Sequence, residues 1–95
     1  MAITTTVEIR VPKPLRECCR GARSVAVEAR DVRGALAELE GRFPALHRSI
    51  CDETGSLRPH IGLFVNSSHV RDRGGLDTPL APGDVVSIFT AVSGG

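Results

Sequence analysis

The chain reads as an α+β roll: a mixed β-sheet with one main helix packed on one face and a flexible C-terminal tail. Three observations carry that reading. Short segments in both halves alternate apolar and polar residues, as half-buried strands do. One segment, 32–43, spaces its apolar residues at helical steps. Turn residues separate these elements, and no repeat or low-complexity linker divides the 95 residues, so residues 1–89 are expected to form one domain and residues 90–95 a tail.

The elements follow in order. In Thr4 to Val11, Val7, Ile9 and Val11 share one face, and Thr6, Glu8 and Arg10 the other. Pro12 and Pro14 end this strand, because proline cannot donate to a ladder. Leu15 to Arg20 suits a short helical turn, and Gly21 resets the chain. Ser24 to Glu28 is a second strand with Val25 and Val27 inward. Asp31 suits an N-cap, since its carboxylate can accept an orphan amide hydrogen bond. Val32, Ala35, Leu36, Leu39 and Phe43 then make one helical stripe. Gly41 weakens the last turn and Pro44 closes it. Leu46 to Cys51 forms a further short helical piece, and Asp52 to Gly55 a turn. Ile61 to Val65 is a third strand, turned by Asn66-Ser67-Ser68 into a short one at His69 to Arg71. After a polar, Gly-rich connection, Pro82-Gly83-Asp84 turns the chain into a last strand, Val85 to Phe89. One amphipathic helix must bury its stripe against one sheet face, which gives a β-grasp roll.

Composition bounds the function. A hydrophobic fraction of 41% and a charged fraction of 24% are ordinary for a globular domain, which argues against a disordered chain. The net charge of +1 offers no strong field for nucleic acid or membrane, and without Tyr or Trp a base-stacking platform is poorly supported. No leader or membrane span is evident, so the cytoplasm is the expected compartment. Three cysteines, two of them the neighbours Cys18 and Cys19, fit free thiols there. No metal site is expected, because His47, His60 and His69 make no ligand spacing with one another or with the cysteines.

No nucleophile-and-base pattern and no phosphate loop stands out. Asp31, Glu38 and Glu40 read as a solvated charged face, so no residue is assigned a catalytic role. The tail differs. Glycine at both of the last two positions arises by chance roughly once in 200 chains. A terminal glycine carboxyl has no Cβ beside it, and Gly94 and Gly95 can take dihedrals closed to other residues. Residues 90–95 reach about 20 Å when extended. Such a tail can thread a narrow channel and present its end to a partner's active site. Phe64 and Phe89 fall on the polar sheet face with Glu8, Arg10 and Ser87, outside the expected core, and mark a partner-docking site.

Phe64-Val65-Asn66, Val70-Arg71, Gly74-Gly75-Leu76, Thr78-Pro79-Leu80, Gly83-Asp84, Val86, Ile88 and Ala91-Val92-Ser93-Gly94-Gly95 together resemble the ubiquitin-like sulfur carriers. Leu39-Glu40-Gly41-Arg42-Phe43-Pro44 and Leu57-Arg58-Pro59-His60 are similar too. That family includes the molybdopterin-synthase small subunit, the thiamine sulfur carrier and the carrier feeding cysteine synthesis in actinobacteria. The resemblance implies a carrier, not an enzyme. A separate ubiquitin-activating-like adenylyltransferase would use ATP to adenylate Gly95, which would then become a thiocarboxylate and give sulfur to an accepting synthase. Ala91, Val92, Ser93 and Gly94 would lie in the partner's active site, and no cofactor would be bound by the carrier itself. Thr90 stands where the family often has proline and Ser93 where it often has alanine. Pro14 and the Cys18-Cys19 pair in the first connection are further departures. The sulfur acceptor stays open among molybdopterin, thiazole, cysteine and thio-metabolite precursors. A ubiquitin-like modifier joined through Gly95 is the alternative. An iron–sulfur electron carrier would need four cluster ligands, normally cysteines, and only three cysteines are present.

Overall fold

A computed structural model describes residues 5–90, apart from the side chain of residue 71. Five strands form one sheet: β1 (Thr6–Arg10), β2 (Ser24–Glu28), β3 (Ile61–Val65), β4 (Ser68–His69) and β5 (Val85–Thr90). Their spatial order is β2-β1-β5-β3-β4. β1 and β5 run parallel, and every other neighbouring pair is antiparallel. This is the expected mixed sheet, with the last strand in its middle.

The alternation read from the sequence is the alternation of burial. Val7 and Ile9 of β1, Val25 and Val27 of β2, Ile61, Leu63 and Val65 of β3, and Val86 and Ile88 of β5 are all buried. Helix α1 (Val32–Arg42) lays Val32, Ala35, Leu36 and Leu39 into the same core. Asp31 caps it as expected: its Oδ1 accepts the Gly34 amide at 2.7 Å. A cap of this kind contributes about 1 kcal/mol.

Four expectations need correction. Pro44 ends α1 and also opens a second helix, α2 (Pro44–Ile50), two residues earlier than expected. Proline fits a first helical turn because its missing N–H would have no partner there. Leu46 and Ile50 of α2 are fully buried in the same core cluster, and α2 packs against α1. Phe43, expected in the core, sits at the α1–α2 junction and is half-buried, packed against the cluster's edge. The fourth strand occupies 68–69 instead of 69–71, because Val70–Asp72 tightens into a 3-10 turn. Finally, β5 runs one residue further than expected, and Thr90 pairs with Ile61.

The connection between β1 and β2 folds as a 3-10 helix, Lys13–Cys19, which ends with Arg20 in the left-handed region at φ 59°. It packs against α2, and Cys19 is buried. The polar connection before β5 is pinned rather than loose. Thr78, fully buried, donates its hydroxyl to the Gly75 carbonyl at 2.7 Å and accepts the Gly74 amide at 3.0 Å. Its carbonyl accepts the Val32 amide at 3.1 Å, so this segment closes over the start of α1. The turn at Ala81–Asp84 needs φ +86° at Gly83, a conformation L side chains rarely adopt.

Candidate functional site

The site has two parts, a tail and the sheet face from which it departs. Gly94 and Gly95, with Ala91, Val92 and Ser93, lie outside the described residues. What the structure places is their root. β5 ends at Thr90, held opposite Ile61 by the β3 ladder. The tail therefore leaves from the middle of the sheet, at the end where β1 finishes and β3 begins.

On the face away from the helices, Phe89 is 51% exposed, the one large hydrophobic residue so exposed among those described. The register explains why it meets Phe64. Phe64 lies opposite Ser87, and Phe89 is two residues further along β5, the diagonal position that long side chains reach. The ring centroids are 4.8 Å apart at an interplanar angle of 69°, an edge-to-face contact. His69 of β4 lies opposite Phe64, and its ring approaches edge-on with centroids 4.9 Å apart. Gly62 makes room for that imidazole, since a Cβ there would sit 3.3 Å from Nε2. Phe64 is thus half-covered by its neighbours, and Phe89 stands in solvent.

Sequence reasoning placed both phenylalanines outside the core, where they are, but weighed His69 only as a metal ligand and passed over Gly62. The usable signal was the hairpin. Two central residues, Asn66 and Ser67, set β4 so that residue 69 meets residue 64. Asn66 takes the left-handed φ of 56°, which asparagine tolerates well. Its side chain also ties the turn to the start of β5: Oδ1 accepts the Val85 amide at 3.1 Å, and Nδ2 donates to Asp84 at 3.2 Å.

Beside the aromatic pair, Arg10 Nε donates to Glu8 Oε2 at 2.9 Å, with both side chains largely in solvent. An exposed pair of this kind is worth little. The three cysteines are free. Burial pushes the Cys19 and Cys51 thiols up, which keeps them protonated and weakly nucleophilic. Cys18 is half-buried, with Sγ 3.6 Å from Ser49 Oγ. Among the described residues no group of three or more His, Cys, Asp or Glu side chains could hold a metal ion. No helix among them is long and apolar enough to cross a membrane.

Comparison with known proteins extends the picture. The model of the ThiS family matches residues 9–95. The sulfur carrier protein CysO of Mycobacterium tuberculosis is 32% identical over 91 residues, covering 94% of this chain and 98% of the relative. The crystal structure of the Amycolatopsis orientalis BexX/CysO complex matches with a TM-score of 0.86 at 30% identity, covering 94% of this chain and 99% of that one. The crystal structure of small archaeal modifier protein 1 from Haloferax volcanii matches with a TM-score of 0.80 at 31% identity, covering 95% and 99%. These relatives share the ubiquitin-like β-grasp roll and are carriers and modifiers, not enzymes.

Proposed function

Because the chain belongs to the ThiS family, we propose that it is a sulfur carrier whose working group is the carboxyl of Gly95. The observation that carries this reading is the extent of the family match, which runs from residue 9 through the Gly94-Gly95 pair to residue 95. A carboxylate is a poor electrophile. In the proposed cycle a partner adenylyltransferase of the ubiquitin-activating kind joins it to the α-phosphorus of ATP and releases pyrophosphate. A persulfide then attacks the acyl carbon and displaces AMP, giving an acyl disulfide. A thiol attacks the donor's own sulfur, forms a disulfide with it and releases the thiocarboxylate on Gly95. A sulfur-accepting synthase takes that sulfur, water supplies the oxygen that replaces it on the acyl carbon, and the carboxylate returns.

The body supplies none of these reacting groups. It supplies an anchored tail root, with Phe64 and Phe89 as the contact for the partner. That the CysO of A. orientalis forms a complex with BexX supports a protein partner for this chain as well. Three unbridged thiols suit the reducing cytoplasm. A second reading has its own support: the match to a small archaeal modifier protein favours attachment of the same activated Gly95 to lysines of other proteins.

The test is intact mass after incubation with ATP, the activating enzyme encoded in the same genome and a sulfur donor. Exchange of one terminal oxygen for sulfur, localised to Gly95, is expected. No adenylation by that enzyme, or loading of a chain lacking Gly95, overturns the carrier reading. Covalent adducts of larger proteins in cell extract, without thiocarboxylate, identify the modifier instead.

A further inference from the structure

We propose that the β1–β2 connection forms a basic collar at the root of the tail, and that the collar recognises an acidic rim on the protein that receives the tail. The inference rests on the carrier reading and adds the chemistry of the partner's surface. A net charge of +1 conceals an uneven distribution. Residues 8–23 hold five basic and two acidic side chains, while the remaining residues hold seven basic and nine acidic. The positive charge is concentrated in one short stretch.

The fold brings that stretch to the place where the tail starts. β1 ends at Arg10, opposite Ser87 of β5 and so close to the end of the strand that carries the tail. Arg16 Nε donates to the Val11 carbonyl at 3.1 Å, and the Val11 amide donates to the Arg23 carbonyl at 2.9 Å. Both hydrogen bonds gather the connection around the end of β1. Arg10, Val11 and Pro12 line one side of a groove whose other side is Ser87, Phe89 and Thr90, and Lys13 follows Pro12 directly. Arg10, Lys13, Arg20 and Arg23 are exposed, and Arg16 is half-buried. Of the two acidic residues, Glu8 is paired with Arg10, and Glu17 lies within the 3-10 helix.

The occupant follows from what the groove combines. An exposed aromatic, Phe89, shares a groove with Arg10, and the connection that leaves the groove at Pro12 carries the exposed Lys13, Arg20 and Arg23, so the matching surface is an apolar seat flanked by carboxylates. RNA fits less well, because stacking needs several exposed aromatic faces and Phe89 is the one offered among the described residues. Reach adds a constraint. Five residues follow Thr90, and fully extended they span about 17 Å. The atom that reacts with Gly95 must therefore lie within about 17 Å of the point where Thr90 docks, beside the acidic rim.

Two charge-reversal pairs test this with equal change of net charge. Lys13→Glu with Arg23→Glu alters the collar. Arg30→Glu with Arg33→Glu alters the opposite end of the sheet, where Arg33 holds only an exposed ion pair with Asp77. Association with the activating enzyme of the same genome is followed by stopped flow across a salt series, after circular dichroism has shown each variant folded. The collar pair is expected to slow association on the order of tenfold at low salt, and the difference to shrink as salt rises. The control pair is expected to bind at close to the unaltered rate. Equal loss in both pairs, or no loss in either, overturns the proposal. So does a short mixed-sequence RNA whose binding is lost in the collar pair while enzyme association is kept. Thiocarboxylate loading of the unaltered chain is read in parallel. If it fails, the carrier reading fails; if it succeeds with an unslowed collar pair, only the collar is wrong.

Discussion

At the scale of single residues, Phe89 carries the clearest expectation. Its ring touches Phe64 on one side and water on the other. Removing it takes little from the core, so Phe89→Ala should cost about 1 kcal/mol of stability or less. Aromatic anchors at interfaces typically contribute about 2 kcal/mol or more to binding, so affinity for the activating enzyme should fall at least roughly thirtyfold. Calorimetric titration beside a denaturation curve separates the two effects. Asp84 makes a second prediction. The Ala81 amide and the Asn66 side chain both donate to its carboxylate and hold its pKa below the usual value. A carboxylate depressed in the folded state lends stability above its unfolded pKa, about 3.9, and loses it as pH falls through the folded value. Asp84→Asn should therefore flatten the acid limb of stability below about pH 4, measured as the urea midpoint from pH 6 downward.

At the scale of elements, the strands were legible and the helical layer only partly so. Strand alternation survives because one face of each strand is buried and the other is not. Val7, Ile9, Leu63, Val65, Val86 and Ile88 fall where the period of two puts them. Pro44 misled because proline stops one helix and starts another by the same property, its missing N–H. Leu46 and Ile50, four residues apart, were too short a stripe to claim a core role. The hydroxyl of Thr78 bonds within its own turn and the imidazole over Gly62 sits within one hairpin, but which way each side chain faces is set by the packing around it, and no period of two or 3.6 encodes that. The revised helical layer is testable. Leu39 of α1 and Leu46 of α2 are equally buried. Truncating either to Ala should cost about 2–5 kcal/mol, with similar values for the two. A Leu46 cost below 1 kcal/mol, read from urea midpoints, would return α2 to the role of a surface turn.

At the scale of the whole molecule, the carrier reading divides the work between the folded body and the residues that follow it. Deleting Gly95 should abolish thiocarboxylate loading with the thermal midpoint unchanged, as intact mass and calorimetry would report. Gly94→Val should impair loading as well, because a β-branched side chain narrows the allowed dihedrals in a channel built around glycine. The placement of β5 has a consequence for biosynthesis. Among the described residues, the hairpin of β1 with β2 and that of β3 with β4 are joined into one sheet by β5, the last of the five strands in sequence. Pairings this far apart in sequence form late, and a nascent chain folds from its N-terminal side as it emerges. Closure of the sheet must then wait until residues 85–90 have emerged. A chain that terminates early lacks the strand that unites its two halves, and is left open to proteolysis. Ribosomal truncation products would be cleared before they could occupy the activating enzyme as molecules with no end to load.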